Sequence, residues 1–142
     1  MAVGEEREAR PLDGLRVLVT RAAEQAGELA SRIEAAGGEA VVFPLIQIRP
    51  MENNQQLDKA LEQLDTYDWI IFTSVNTVKV FLERLRQRQI PIERLQARVA
   101  AVGNKTGAML EAHGVTVDMV PKEYHAEGLL EVLLPQVSEG TR

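Results

Sequence analysis

The stretch YDWIIFTSVNTVKVFLERL, Tyr67–Leu85, changes its period halfway along. Trp69-Ile70-Ile71-Phe72 is a short apolar run, of the length expected for a strand buried on both faces. Beyond it Val78, Phe81, Leu82 and Leu85 recur at the spacing of one helix face. The two halves are joined by Thr73-Ser74-Val75-Asn76, which holds three small polar side chains and neither glycine nor proline. Those groups either cap the helix or offer hydrogen-bond donors to a ligand. A strand that runs straight into a helix is the repeating unit of a parallel α/β sheet.

Working outward, the same punctuation recurs. Leu15–Thr20 reads as a strand, and 22–36 as a helix with Ala22, Ala26, Leu29, Ile33 and Ala36 on one stripe, stopped by Gly37-Gly38. Glu39–Phe43 is a second strand. The segment Pro44–Pro50 alternates in extended form, with proline at each end, as a connector or edge strand does. Asn53 or Asn54 can cap a helix carrying Leu57, Ala60, Leu61 and Leu64 on one face. After Phe81 the pattern gives a turn-rich link over 90–95, a strand over 97–102, a helix over 105–113 closed by Gly114, a strand over 115–120, a loop over 121–126 and a last helix over 127–134. The fold class is therefore α/β with a mainly parallel sheet. Residues 34–44 and 111–121 repeat the same order of helix end, glycine, strand and proline, which suits either ordinary α/β punctuation or an old duplication. The first copy has two strands and one helix, too little to bury its own sheet, so something else must complete it.

Composition limits the function. With 142 residues and 45% hydrophobic content the chain can build a real core. No apolar run approaches the roughly 20 residues of a membrane span. The charged N-terminal residues MAVGEEREARP lack the apolar core of a secretory signal, so a cytoplasmic protein is expected, and the Asn104-Lys105-Thr106 sequon then has no use. The chain has no cysteine, which removes disulfides, thiol catalysis and the usual structural zinc sites. Two histidines far apart, His113 and His125, make a poor metal site, so no metal is expected. The net charge of −5 argues against general nucleic-acid binding, yet a helix N-terminus with a few local cations holds a small anion on an acidic protein.

In a parallel sheet every strand-to-helix loop leaves the same edge. Here those loops are Thr20-Arg21-Ala22, Thr73-Ser74-Val75-Asn76, Gly103-Asn104-Lys105-Thr106 and Lys122-Glu123-Tyr124-His125-Ala126. Hydroxyls, amides and small residues dominate them, and Arg21, Lys105 and Lys122 bring positive charge. Gly103–Thr106 is no Walker loop, because Asn104 separates glycine from lysine and Arg98 stands where another glycine is required. Neither a nucleophile elbow nor a catalytic triad is visible. Tyr124 is either a packing residue or an acid. From the residues alone, the reading stops at an anion-binding α/β module.

Val17–Arg21, Phe43–Pro50, Tyr67–Asn76, Val99–Thr106 and Val120–Leu129 together, and in that order, resemble the N-terminal part of the uroporphyrinogen-III synthase family. The resemblance implies two α/β domains joined by a two-stranded ladder. The charged residues 1–13 themselves read as a flexible, solvated tail. By the resemblance, 14–48 would be part of a split domain with its connector strand and 49–137 a complete, three-layer flavodoxin-like domain. A return connector or loose end would follow over 138–142. It further implies a lyase of tetrapyrrole and haem biosynthesis that uses no cofactor. That enzyme closes linear hydroxymethylbilane to uroporphyrinogen III, losing water and inverting the last ring. Tyr124 matches the family tyrosine proposed to assist departure of the hydroxyl, while Arg21, Thr73, Ser74, Asn76, Gly103, Lys105, Thr106 and Ala126 would hold the carboxylates of a linear tetrapyrrole. Because this chain stops near the point of return, its partner would be the missing C-terminal half or a swapped neighbouring chain, and its activity alone is not implied. The competing class is a non-catalytic anion-binding, sensory or receiver-like module. A receiver would need acidic residues where Thr20-Arg21 and Thr73-Ser74 stand.

Overall fold

The computed structural model of the protein describes residues 10–142. Its backbone gathers into two units, one ending at Pro50 and one beginning at Met51.

In the first unit β1 (Arg16–Val19) and β2 (Glu39–Val42) pair in parallel, Arg16 opposite Glu39 and Val19 opposite Val42. The helix α1 (Ala23–Ala35) makes the crossover. Gly37 stops it at φ +90°, a conformation only glycine takes readily, and a β-carbon there would lie 2.8 Å from Arg10 Nε. Val19, Ala26 and Ile33 form the core, with Leu12, Val17 and Ala40 packed against them. Residues 10–13 are therefore not a solvated tail as the sequence suggested: Leu12 joins this core and its amide donates to Ala36 O at 3.0 Å. The rest of the expected tail, residues 1–9, lies outside the described residues. The opposite sheet face is open, with Leu18 60% exposed. Past β2 the amides of Phe43 and Leu45 still donate to Val19 and Thr20, and the segment up to Pro50 then forms no strand. Its proline ends and exposed Leu45, Ile46 and Ile48 fit a connector.

The second unit opens with α2 (Gln55–Glu62), whose first turn is capped by Asn54, the side chain accepting from Leu57 N at 3.0 Å. β3 (Trp69–Phe72) leads to α3 (Val75–Gln87), β4 (Arg98–Ala101) to α4 (Asn104–Ala112), and α5 (Ala126–Leu133) ends the series. β3 and β4 are parallel, Trp69 opposite Arg98 and Phe72 opposite Ala101. The third strand expected over 115–120 is reduced to one parallel bridge, Met119 to Ala100. Asp118 explains the reduction. Its carboxylate accepts the Val99 amide at 2.7 Å, a place a strand would fill with a backbone carbonyl, while Asp118 N and Met119 N both donate to Val99 O.

On one sheet face Leu61, Leu64, Phe72, Val78, Phe81, Leu85, Val99 and Leu110 make the main core. Phe72 and Phe81 meet edge to face at 5.1 Å. The other face carries a smaller cluster of Ala100, Met119, Leu129 and Leu133, with Trp69, Val102 and Val137 alongside. Hence β3 is not buried on both faces as its apolar run suggested, because α5 leaves Ile71 41% exposed. The chain end is tied to the start of β3: Arg142 O accepts from the amides of Asp68 and Trp69, and its guanidinium lies 4.7 Å from the Tyr67 ring. No helix among the described residues is long and apolar enough to cross a membrane.

Candidate functional site

Parallel pairing puts the carboxyl ends of β3, β4 and the Met119 bridge on one edge of the second unit. Three loops leave that edge, and each opens a helix whose first amides have no partner within the helix.

The first loop answers the question posed by the hydroxyls. Ser74 is the N-cap of α3: its Oγ accepts from Thr77 N at 3.2 Å, and Thr77 Oγ1 accepts from Ser74 N at 3.2 Å, a capping box closed by threonine. The hydroxyl of Ser74 is thus engaged locally. What the turn leaves for a ligand is the amides of Val75 and Asn76, the half-buried Asn76 carboxamide and the exposed Thr73 hydroxyl.

The second loop has no side-chain cap at all. Gly103 is the N-cap of α4 at φ +95° and ψ 147°, so the first amides of α4 receive no hydrogen bond from a cap side chain. Thr106, expected to touch a ligand, is buried at 4% exposure.

In the third loop Tyr124 precedes α5 and is 55% exposed. A β-carbon placed on Gly103 would sit 3.9 Å from Tyr124 Cγ, so the ring lies against the bare backbone of the uncapped turn. Two loops distant in sequence are thereby joined. Ala126 is exposed at the first position of α5. Arg21 belongs to the first unit, where its guanidinium donates to Gln25 Oε1 at 3.3 Å.

Sequence reasoning overlooked the groups that organise this third loop. His125 is the N-cap of α5, its Nδ1 accepting from Gly128 N at 3.1 Å, and Glu123 and Glu127 flank the ring. Gly128 is required there because a β-carbon would come within 2.7 Å of Glu123 O. The hydrogen bond to Glu123, aided by the charge of both glutamates, raises the His125 pKa above 6.5. The signal available was the alternation Glu-x-His-x-Glu with glycine in the first helical turn. Among the described residues no three His, Asp or Glu side chains gather as metal ligands would. A groove of about 660 Å³ lies at the carboxyl ends of α3 and α4, lined by Leu82, Leu85, Ile90 and Met109. None of the residues expected to hold a ligand lines it.

Fold and rim define an α/β protein with parallel strands and a donor-lined edge. Residues 27–142 match the model of the family described as uroporphyrinogen-III synthase HemD, and the chain belongs to that family. It is 34% identical over 143 residues to the uroporphyrinogen-III synthase of Synechococcus elongatus, covering 94% of this chain and 54% of the relative. Over 126 residues it is 39% identical to that of Chlorobaculum parvum, covering 87% and 49%. The chain therefore spans about half the length of these relatives. The solved uroporphyrinogen-III synthetase of Helicobacter pylori superposes with a TM-score of 0.69 at 22% identity, over 93% of this chain and 59% of that one, which shows a shared fold.

Proposed function

We propose that this chain is the N-terminal part of a uroporphyrinogen-III synthase, a cytoplasmic lyase of haem biosynthesis. It would cyclise hydroxymethylbilane to uroporphyrinogen III with inversion of the last ring and loss of water. The observation that carries this reading is the Tyr124 ring resting on Gly103, at the head of an uncapped helix on the donor-lined rim. A substrate with many carboxylates suits such a rim, because each helix start contributes amides and dipole at about 0.3–1 kcal/mol per exposed anion. In the same reading, Asn76, Thr73 and the amides that follow Ser74 and Gly103, with Lys105, Thr106 and Ala126, hold carboxylates. Arg21, in the loop that follows β1, is a further cation for a carboxylate. Tyr124 donates to, or positions, the departing hydroxyl. Closure is intrinsically easy, so the protein's task is to hold the ring that inverts and to exclude the uninverted product.

The second unit is then a flavodoxin-like domain, and the first, with its open sheet face, is part of a domain completed by further polypeptide. That partner is either the remaining half of the enzyme or the same segment of a neighbouring chain. The test is reconstitution: this chain, joined or mixed with the C-terminal half of a family member, is assayed for the isomer formed from hydroxymethylbilane. Uroporphyrinogen III is expected. A product containing only the uninverted isomer, from a folded complex, overturns the proposal.

A further inference from the structure

His125 has more partners than its ring nitrogens can serve. Nε2 lies 2.6 Å from Glu123 Oε2, while Nδ1 lies 3.1 Å both from the Gly128 amide nitrogen and from Glu127 Oε2. The two contacts at Nδ1 exclude each other. A bare Nδ1 accepts the Gly128 N–H and caps α5; a protonated Nδ1 donates to Glu127 and leaves that amide without its cap. The surrounding loop turns tightly back on the helix, since even a β-carbon on Gly128 would meet Glu123 O at 2.7 Å. Tyr124 sits inside this loop, between Glu123 and His125, with its ring against Gly103.

We infer that His125 is a positioning residue for Tyr124: Nδ1 exchanges between the Gly128 amide and the Glu127 carboxylate with the protonation of the imidazole, and the exchange resets the start of α5 and the seat of the tyrosine ring on Gly103. The structural exchange stands by itself. Only its consequence for turnover rests on the proposed role of Tyr124. The charged groups acting on the imidazole are Glu123 and Glu127, the hydrogen bond to Glu123 having the largest effect. Lys122 in the same loop and Lys105 on the first turn of α4 are the cations of this part of the rim. Because both carboxylates favour the imidazolium, the exchange falls above pH 6.5. Their contribution to stability is present below that value and fades as pH rises through the raised pKa, whereas the cap forms in the opposite sense.

The test is nuclear magnetic resonance of the whole chain over about pH 5 to 9, the range in which histidine titrates. It follows the His125 ring nitrogens, the Gly128 amide and the Tyr124 ring protons. One shared midpoint above 6.5 is expected for all of them. His125→Asn, which caps without titrating, holds the Gly128 and Tyr124 signals constant with pH, and Glu127→Gln lowers the midpoint. The inference is overturned if Tyr124 stays constant while His125 titrates, or if its titration persists in His125→Asn. Neither outcome involves turnover, so the isomer assay remains the separate judge of the enzymatic reading.

Discussion

Gly103 carries the most demanding backbone of the rim. At φ +95° and ψ 147° it occupies a region nearly closed to residues with a β-carbon, where strain is of order 1–3 kcal/mol. Gly103→Ala is expected to destabilise the chain by about that amount in chemical denaturation. A change near zero would mean that the turn relaxes freely. Tyr124 gives the opposite expectation. The residue is 55% exposed, so Tyr124→Phe should leave stability within about 0.5 kcal/mol. In the reconstituted enzyme it should lower kcat by about 10²-fold, the usual scale for a lost proton donor. Unaltered turnover would remove the hydroxyl from the mechanism. Glycine at 103 was visible in the sequence, but its contact with Tyr124 was not, because it is made by folding two separate loops onto one edge.

Among the elements, α2 and α3 are fastened to each other by charge as well as by apolar packing. Arg84 on α3 holds Asp58 on α2 through both carboxylate oxygens, Nε to Oδ1 at 2.7 Å and Nη2 to Oδ2 at 2.9 Å. The two side chains are 17% and 18% exposed. This hydrogen-bonded pairing holds the Asp58 pKa below its ordinary 3.8. A depressed carboxylate contributes stability above its unfolded pKa and loses it as pH falls through the folded one. The wild-type chain should therefore lose stability as pH drops below about 3.8, and Asp58→Asn should flatten that part of the curve while lowering stability at neutral pH. Urea midpoints at several pH values provide the measurement, and parallel curves for the two proteins would sink the assignment. The helices themselves were legible from period and caps: Leu57, Ala60, Leu61 and Leu64 mark α2, and glycines stop α1 and α4. The strand expected near Met119 was misread because alternation cannot reveal that Asp118 will take a backbone's place in the ladder.

For the whole molecule, core and rim are unevenly shared. The main core of the second unit is drawn from residues 57–117, whereas the first unit buries Val19, Ala26 and Ile33 and leaves Leu18 and Phe43 exposed. A chain of residues 51–142 should therefore retain cooperative unfolding, and residues 1–50 alone should not fold, since two strands and a helix bury too little. Circular dichroism melts of the two pieces check this. A cooperative transition in the short piece would contradict the accounting of buried surface.

By itself the sequence determined the alternation of strands and helices, the helix stops and the family, because these depend on local period, backbone stereochemistry and ordered motifs. Tertiary structure decided which face of β3 is covered, that Asp118 interrupts the third strand, and that Tyr124 meets Gly103 beside a histidine with rival partners. Those are contacts between residues distant along the chain, and no local pattern encodes the distance between them.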